Sequence, residues 1–348
     1  MNKGCKIESI GVKLPEKSIS TSDIVSNLKL LKPLKLELLT GISSRRVCNA
    51  NEDSLTLATD AALDCIKYSR YNAEEIEMII CCSISKYVNG LNHVYEPALS
   101  LQIKEKIGNT KASNFDVSNA CAGMMTGVYI ANNFISQGVV KNCMVVSGEY
   151  ITSLSRNAAK NIMFPNDPEL ASMTVGDAGA AVILDVSDQA DSFKVSEMVT
   201  LSQFSDLCQG FQSKRQPGGI MKTQMKKIHD VSIENAPAII ENALGKAGLK
   251  MSQIDFMIPH QTAKFSIQSG AKHFEQYFGE KPGEIVINLE KTGNTASTTH
   301  FATLYKYLQE KRFNKGDKIM LLSFASGLVI GVIVFTINDL IDRYGSHN

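Results

Sequence analysis

LATDAALDCIKYSRYNAEEIEMIICC, residues Leu57–Cys82, decides the fold when laid beside NAPAIIENALGKAGLKMSQIDFMIPH, residues Asn235–His260. The two align without a gap. Each runs from an Ala-rich helical stretch through a short polar link into an Ile-acid-apolar-apolar-Ile strand, IEMII in one and IDFMI in the other. A second match follows in the same order. Asn142-CMVVSG corresponds to Asp317-KIMLLSF, and a helical stretch precedes each, Cys121–Gln137 and Thr295–Lys311. Ordered self-similarity marks a duplicated unit. Alternation of helix and apolar strand predicts an α/β fold with a mostly parallel sheet. The chain therefore reads as two pseudo-symmetric halves, residues 1–186 and 228–348. Between them, 187–227 is polar, carries Pro217–Gly219 and reads as a linker or loop excursion.

Composition narrows the function. The chain has 348 residues, a formal net charge of +1, 44% hydrophobic and 20% charged residues, and no tryptophan. That balance is ordinary for a globular protein and gives no basic surplus for binding nucleic acid. The start, MNKGCKIESIGVKLPE, has no uninterrupted apolar core of a secretory signal. A reduced, cytoplasmic setting follows, with the eight cysteines as thiols. They lack paired CxxC spacing, so no metal site is expected. Ile319–Ile337 carries no charge and is long enough to span a membrane. Its central Ser323, Ser326, Gly327 and Gly331, and the β-branched run after them, instead predict two buried strands joined by a small-residue turn.

Three reactive residues fall at informative places. Cys121, in DVSNACAGMMTGVYIANNFISQG, follows a strand (Asn114–Val117) and stands at a helix start. Free N–H groups and the helix dipole there favour a thiolate and polarise a bound carbonyl. The bland alternative is a small buried hydrophobe. His260 ends a strand, where ligands sit in α/β sheets, although a lone His is commonly structural. Asn294, in KTGNTASTTH, is either a site residue or a turn residue and N-cap. The repeat puts Cys121 and the Asn294–Ser297 turn at equivalent helix starts. Twofold pseudo-symmetry then draws Cys121, His260 and Asn294 towards one centre.

SNACAGM at Cys121, IPHQTA at His260, TGNTAS at Asn294, VGDAGAAVIL at Val175–Leu184, SFASGL at Ser323–Leu328 and Thr40-GISSRR together resemble the β-ketoacyl-ACP synthase III branch of the thiolase superfamily. They stand in that family's order over nearly the whole chain. The resemblance implies a five-layered αβαβα fold, a homodimer, and a Cys-His-Asn site for Claisen condensation. Its donors are acyl-CoA or acyl groups on a phosphopantetheine carrier protein, with no permanently bound cofactor. Cys121 would take the acyl group as a thioester. Backbone N–H groups of Cys121 and Ser326 would form an oxyanion hole, although the family is Gly-rich where this chain has Ala325-Ser326. His260 and Asn294 would hold the second thioester's carbonyl.

The stretch SISKYVNGLNHVYEPALSLQIKEKIG departs from the initiating enzymes. They usually place an apolar residue before the proline; here it is Glu96. Glu-Pro resembles the head-to-head condensing enzymes of olefin biosynthesis and the pyrone- and dialkylresorcinol-forming ketosynthases. In those the matching Glu reaches across the dimer as a base. A malonyl extender makes its carbanion by losing CO₂, whereas an extender without that carboxylate must lose an α-proton. The alternative is a helix N-terminal charge beside Pro97. Arg45, Arg46 and Arg156 are candidate phosphate contacts. Lys214 and Arg215 are placed to meet an acidic carrier protein. Glu149 follows a strand and either faces the site or orients its neighbours. His229, His273 and His300 read as structural. Two other readings stay open: decarboxylative initiation with malonyl-ACP, and a catalytically silent scaffold subunit. CoA-using relatives often stack adenine on a Trp near the TGI element, so its absence here favours a carrier-bound donor.

Overall fold

The structure is a computed structural model and describes residues 4–28, 34–187 and 192–345. The first half runs β1 (Gly4–Lys13), β2 (Ser18–Ser20), α1 (Thr21–Ser26), α2 (Leu36–Thr40), β3 (Ser44–Arg46), α3 (Ser54–Lys67), β4 (Met78–Cys81), β5 (Tyr87–Val88), β6 (Asn92–His93), α4 (Leu99–Lys106), β7 (Ser113–Asp116), α5 (Gly123–Ser136), β8 (Asn142–Glu149), α6 (Ser153–Asn161) and β9 (Ala178–Ser187). The remainder runs β10 (Val195–Thr200), β11 (Cys208–Gln212), β12 (Gly219–Thr223), α7 (Met225–Ala247), β13 (Phe256–Pro259), α8 (Lys264–Phe278), β14 (Glu284–Ile285), α9 (Thr299–Gln309), β15 (Lys318–Ala325) and β16 (Val329–Thr336).

Duplication is visible in the sheets. One has the order β1-β9-β8-β4-β7 and the other β10-β16-β15-β13-β14. β4 lies parallel to both β7 and β8, as β13 does to β14 and β15. The outer pairs β8–β9 and β9–β1 are antiparallel, and so are β15–β16 and β16–β10. The sheets are thus mixed rather than mostly parallel. The reason is local in the second: a tight turn at Ser326–Leu328 sends β16 straight back along β15, as only antiparallel strands allow. This pair is the uncharged 319–337 run. Among the described residues no helix is long and apolar enough to cross a membrane.

Strand alternation builds the layers. On β8, Cys143 and Val145 face one core while Met144 and Val146 face another. On β15, Ile319 and Leu321 join the first core, and Met320 and Leu322 join a third. Period two gives each sheet two apolar faces, and each face takes a helix layer. α3 and α4 cover the outside of the first sheet, with Ala58, Ala61, Ala62 and Ile103 buried there. α5 and α9 fill the space between the sheets through Met124, Val128, Phe301 and Leu304. α7 covers the outside of the second sheet with Ala236, Ile240 and Ala243, and α8 adds Phe274. The result is the five-layered αβαβα sandwich. Alanines in α3 permit a very close approach: a Cβ on Gly148 would lie 2.0 Å from the Ser54 oxygen.

Two details differ from the sequence reading. The second repeat match is offset by one residue, since β8 begins at Asn142 and β15 at Lys318. Residues 187–227 are more than an excursion. Val195–Thr200 pairs with β16 as the edge strand of the second sheet, in the place β1 holds in the first. Half-exposed and interrupted by Ser196 and Glu197, it lacks the apolar run of a central strand. β11 and β12 form a separate hairpin beside the site.

Candidate active site

Cys121 occupies a single 3-10 turn, Ala120–Ala122, that leads into α5. Its counterpart is the turn Ala296–Thr298 leading into α9, so Ser297 stands where Cys121 stands in the other half. Both turns open on a left-handed alanine, Ala120 at φ 45° and Ala296 at φ 53°. Such conformations are held only where the surroundings fix them, and they gather at functional sites. The helices therefore start two and four residues later than the sequence reading placed them.

One cavity, of about 270 Å³, is lined by Cys121, His260, Asn294 and Ser326 together. The remaining wall is largely apolar and runs between α7 and α8 past Met225, Ile233, Ile267 and Phe274. The pseudo-twofold thus brings the three predicted residues to one surface. Asn294 is fixed by backbone pairing: its N–H donates to Thr174 O at 2.9 Å, and its carbonyl accepts from Gly176 N–H at 2.9 Å. Its Oδ1 accepts from Ala296 N–H at 2.9 Å, which leaves the amide Nδ2 as the donor. Asp177 explains the VGDAG motif. Buried, it accepts from the N–H groups of Cys48, Ile151 and Thr152 at 2.8, 2.7 and 2.8 Å. Ser326 donates its hydroxyl to the Cys208 carbonyl, tying the FASG turn to β11.

Electrostatics set the resting state. Burial pushes the Cys121 thiol up, and the nearby Cys208 and Glu149 push it further. Burial and His300 bring His260 down to about 3. At neutral pH the pair is therefore thiol and neutral imidazole, not the thiolate that the helix start alone would favour. Glu149 lies behind the two 3-10 turns. Its carboxyl accepts from the N–H groups of Ile84 and Ser85 at 2.9 and 3.1 Å and from the hydroxyls of Ser85, Ser147 and Ser297. Burial raises its pKa against these hydrogen bonds. It holds the turn opposite Cys121 and lines no part of the cavity.

Other predicted residues lie elsewhere. Glu96 is exposed, after the β5–β6 hairpin, and is absent from the wall of this cavity. Arg45 is fully buried; its guanidinium donates to Met173 O and, at 2.6 Å, to Thr21 Oγ1. Those bonds turn it inward, so it is no free phosphate contact, although the residue borders a second cavity with Lys17, Arg156 and Lys160. Arg156 is exposed there and donates to Tyr150 Oη at 2.9 Å. Arg46 is spent on the Pro15 and Glu16 carbonyls at 3.2 and 3.0 Å. Lys214 and Arg215 are exposed in the β11–β12 turn. Two cavity residues and one neighbour behind the wall carry no sequence signal of a site role. Cys208 and His229 line it, and His300 packs on His260.

Duplicated sheets, the paired turns and the sequence matches define a condensing acyltransferase of the thiolase superfamily. A sequence model of 3-oxoacyl-[acyl-carrier-protein] synthase III matches residues 115–202, and that of its C-terminal part matches 244–337. The chain belongs to this family. It is 27% identical to the β-ketoacyl-[acyl-carrier-protein] synthase III of Clostridioides difficile over 351 aligned positions, covering 96% of this chain and 98% of that one. It is also 27% identical to synthase III 1 of Bacillus cereus, covering 96% and 98%. Solved structures share the fold. The synthase III of Aquifex aeolicus has a TM-score of 0.81 at 21% identity, covering 96% of this chain and 100% of that one. A variant of OleA from Xanthomonas campestris has a TM-score of 0.85 at 21% identity, covering 97% and 99%.

Proposed function

We propose that the protein joins two acyl thioesters by Claisen condensation, with one acyl group held on Cys121. The observation that carries this is the largely apolar cavity that gathers Cys121, His260 and Asn294. The Cys121 sulfur attacks a thioester carbonyl, and the CoA or carrier thiol leaves. The backbone N–H groups of Cys121 and Ser326 receive the oxyanion. The second thioester then enters, and its carbonyl accepts from His260 and the Asn294 amide. Neutral His260 suits that role, because an imidazole N–H donates without adding a buried charge.

The second substrate loses its α-proton to Glu96. Being exposed and outside its own cavity, Glu96 acts only if it enters the cavity of a second copy, so this reading requires a homodimer. A β-ketoacyl thioester, with its acidic α-carbon, suits a carboxylate base best. Arg156, Lys17 and Lys160 around the second cavity are the cations available for a phosphate of the donor, and Lys214 and Arg215 for an acidic carrier. The relatives' name, β-ketoacyl-[acyl-carrier-protein] synthase III, favours a second reading in which malonyl-ACP supplies the carbanion by losing CO₂.

Intact-mass measurement tests the first step. Wild type gains one acyl mass from an acyl donor, and Cys121→Ala gains none. Glu96→Gln takes up the acyl group yet makes no product from a β-ketoacyl donor. Full turnover of Glu96→Gln with a β-ketoacyl donor removes the base role, and product from malonyl-ACP alone supports the second reading; no adduct from any donor removes the condensing role altogether.

A further inference from the structure

His300 is a buried titratable group that none of these steps uses. It lies in the first turn of α9, six residues past Asn294, and is fully buried. Its Nε2 stands 3.0 Å from the Leu322 carbonyl oxygen. A carbonyl only accepts, so Nε2 carries the proton. Burial takes His300 down to about 4, the ring is neutral, and Nδ1 is a bare lone pair. That Nδ1 has no partner, and neither does Nδ1 of His260. The two rings are 5.7 Å apart between centroids and tilted by 31°. The same Leu322 oxygen accepts the backbone N–H of His260 at 2.9 Å, so one carbonyl fixes both residues.

Buried polar atoms nearly always find partners, and an orphan calls for an explanation. Here two orphans sit on neighbouring rings, one of which lines the cavity with Cys121. Packing does not demand a histidine, because the equivalent position at the start of α5 is Met124, an apolar core residue. Other titratable groups stand around α9: Glu284 of β14 accepts from Tyr307 at 2.7 Å, and Asp64 of α3 interacts with Tyr305. Glu149 of β8 is held by Ser297. β1 carries Cys5, Lys6, Glu8 and Lys13, and β9 carries Asp185, with Glu8 and Asp185 both engaged by Arg70. Cys121 faces the cavity from its own turn.

We propose that His260 and His300 act as one buried imidazole pair that holds the proton Cys121 gives up when it is acylated. This rests on the reading of Cys121 as nucleophile. The Cys121 sulfur forms its bond to the acyl carbon as the carrier carbon–sulfur bond breaks. The thiol proton passes to the pair and then to the departing carrier thiolate, and no oxidant or reductant is consumed. A single imidazole in this interior is a weak base; with Nε2 of His300 committed to Leu322, its bare Nδ1 leaves the negative end of a neutral ring's dipole in the same interior, which favours a transient proton on His260 as long as His300 itself stays neutral. His300 is thus a positioning residue that acts through His260.

His300→Gln tests it. The amide N–H can still donate to Leu322 O, but glutamine cannot hold a proton. Acylation of Cys121 is timed by intact mass from pH 5 to 9, with thermal melting measured alongside. Wild type gives a flat profile. His300→Gln is expected to melt as wild type does, to acylate about 100-fold more slowly at neutral pH, and to speed up as hydroxide rises. His300→Phe, which lacks both functions, should match that profile. Wild-type rates and profile in His300→Gln overturn the proposal while leaving Cys121 as nucleophile. Absence of any adduct on the wild type overturns the nucleophile reading itself.

Discussion

His260 and His300 carry their depressed pKa values into folding. Unfolded, each takes a proton below about 6.5. Folded, they wait until about 3 and about 4. Between those limits the unfolded chain binds more protons, so stability falls as pH falls. At pH 5 the loss is about 2 kcal/mol for each histidine. His300→Phe removes one of the two, so its denaturation midpoint should fall less steeply than wild type's between pH 7 and 5. Parallel curves would show that His300 titrates normally. At this scale the sequence was least legible. Cys121, His260 and Asn294 stood out because motifs flanked them. His300, His229 and Cys208 have no local pattern, and only the folded cavity shows what each touches. Arg45 misled for the same reason: nothing in SSRR tells that its guanidinium turns inward to Thr21 and Met173.

Elements that repeat were the most legible. Helix α3 and strand β4, with their counterparts α7 and β13, follow the gapless alignment, since Met78–Cys81 and Phe256–Pro259 fall at matching positions in it. The uncharged 319–337 run resolved into β15 and β16 on the strength of its small residues and β-branched second half. Elements at edges were poorly legible. β10 was missed because a half-exposed edge strand lacks the apolar run of a central one. The helix starts were misplaced because 3-10 turns with left-handed alanines precede α5 and α9, and such strain has no propensity signal. The close packing of α3 gives a prediction at this scale. Gly148→Val puts a branched side chain against the Ser54 carbonyl and the backbone of Ala58. The helix must move, and the expected destabilisation is about 3 kcal/mol or more, read by chemical denaturation. Wild-type stability would mean α3 sits farther from β8 than described.

Across the whole molecule, duplication explains why a site exists at all. Two copies of one unit, packed back to back through α5 and α9, set two equivalent helix starts side by side. One copy offers Cys121 and the other Ser297 with the Asn294 turn, while His260 comes from the end of β13. Neither half alone holds the three. The proposed role of Glu96 extends that logic to a second copy of the chain: as a base outside its own cavity it would work only in a partner's. Mixing subunits tests this directly. Cys121→Ala and Glu96→Gln proteins are each expected to be inactive in condensation. Unfolded, mixed and refolded together, about half of the dimers pair one of each. Each such dimer has one site with Cys121 from one chain and Glu96 from the other. Condensation should therefore return to roughly a quarter of the wild-type rate. A mixture that forms mixed dimers yet stays as inactive as either variant alone would contradict the account.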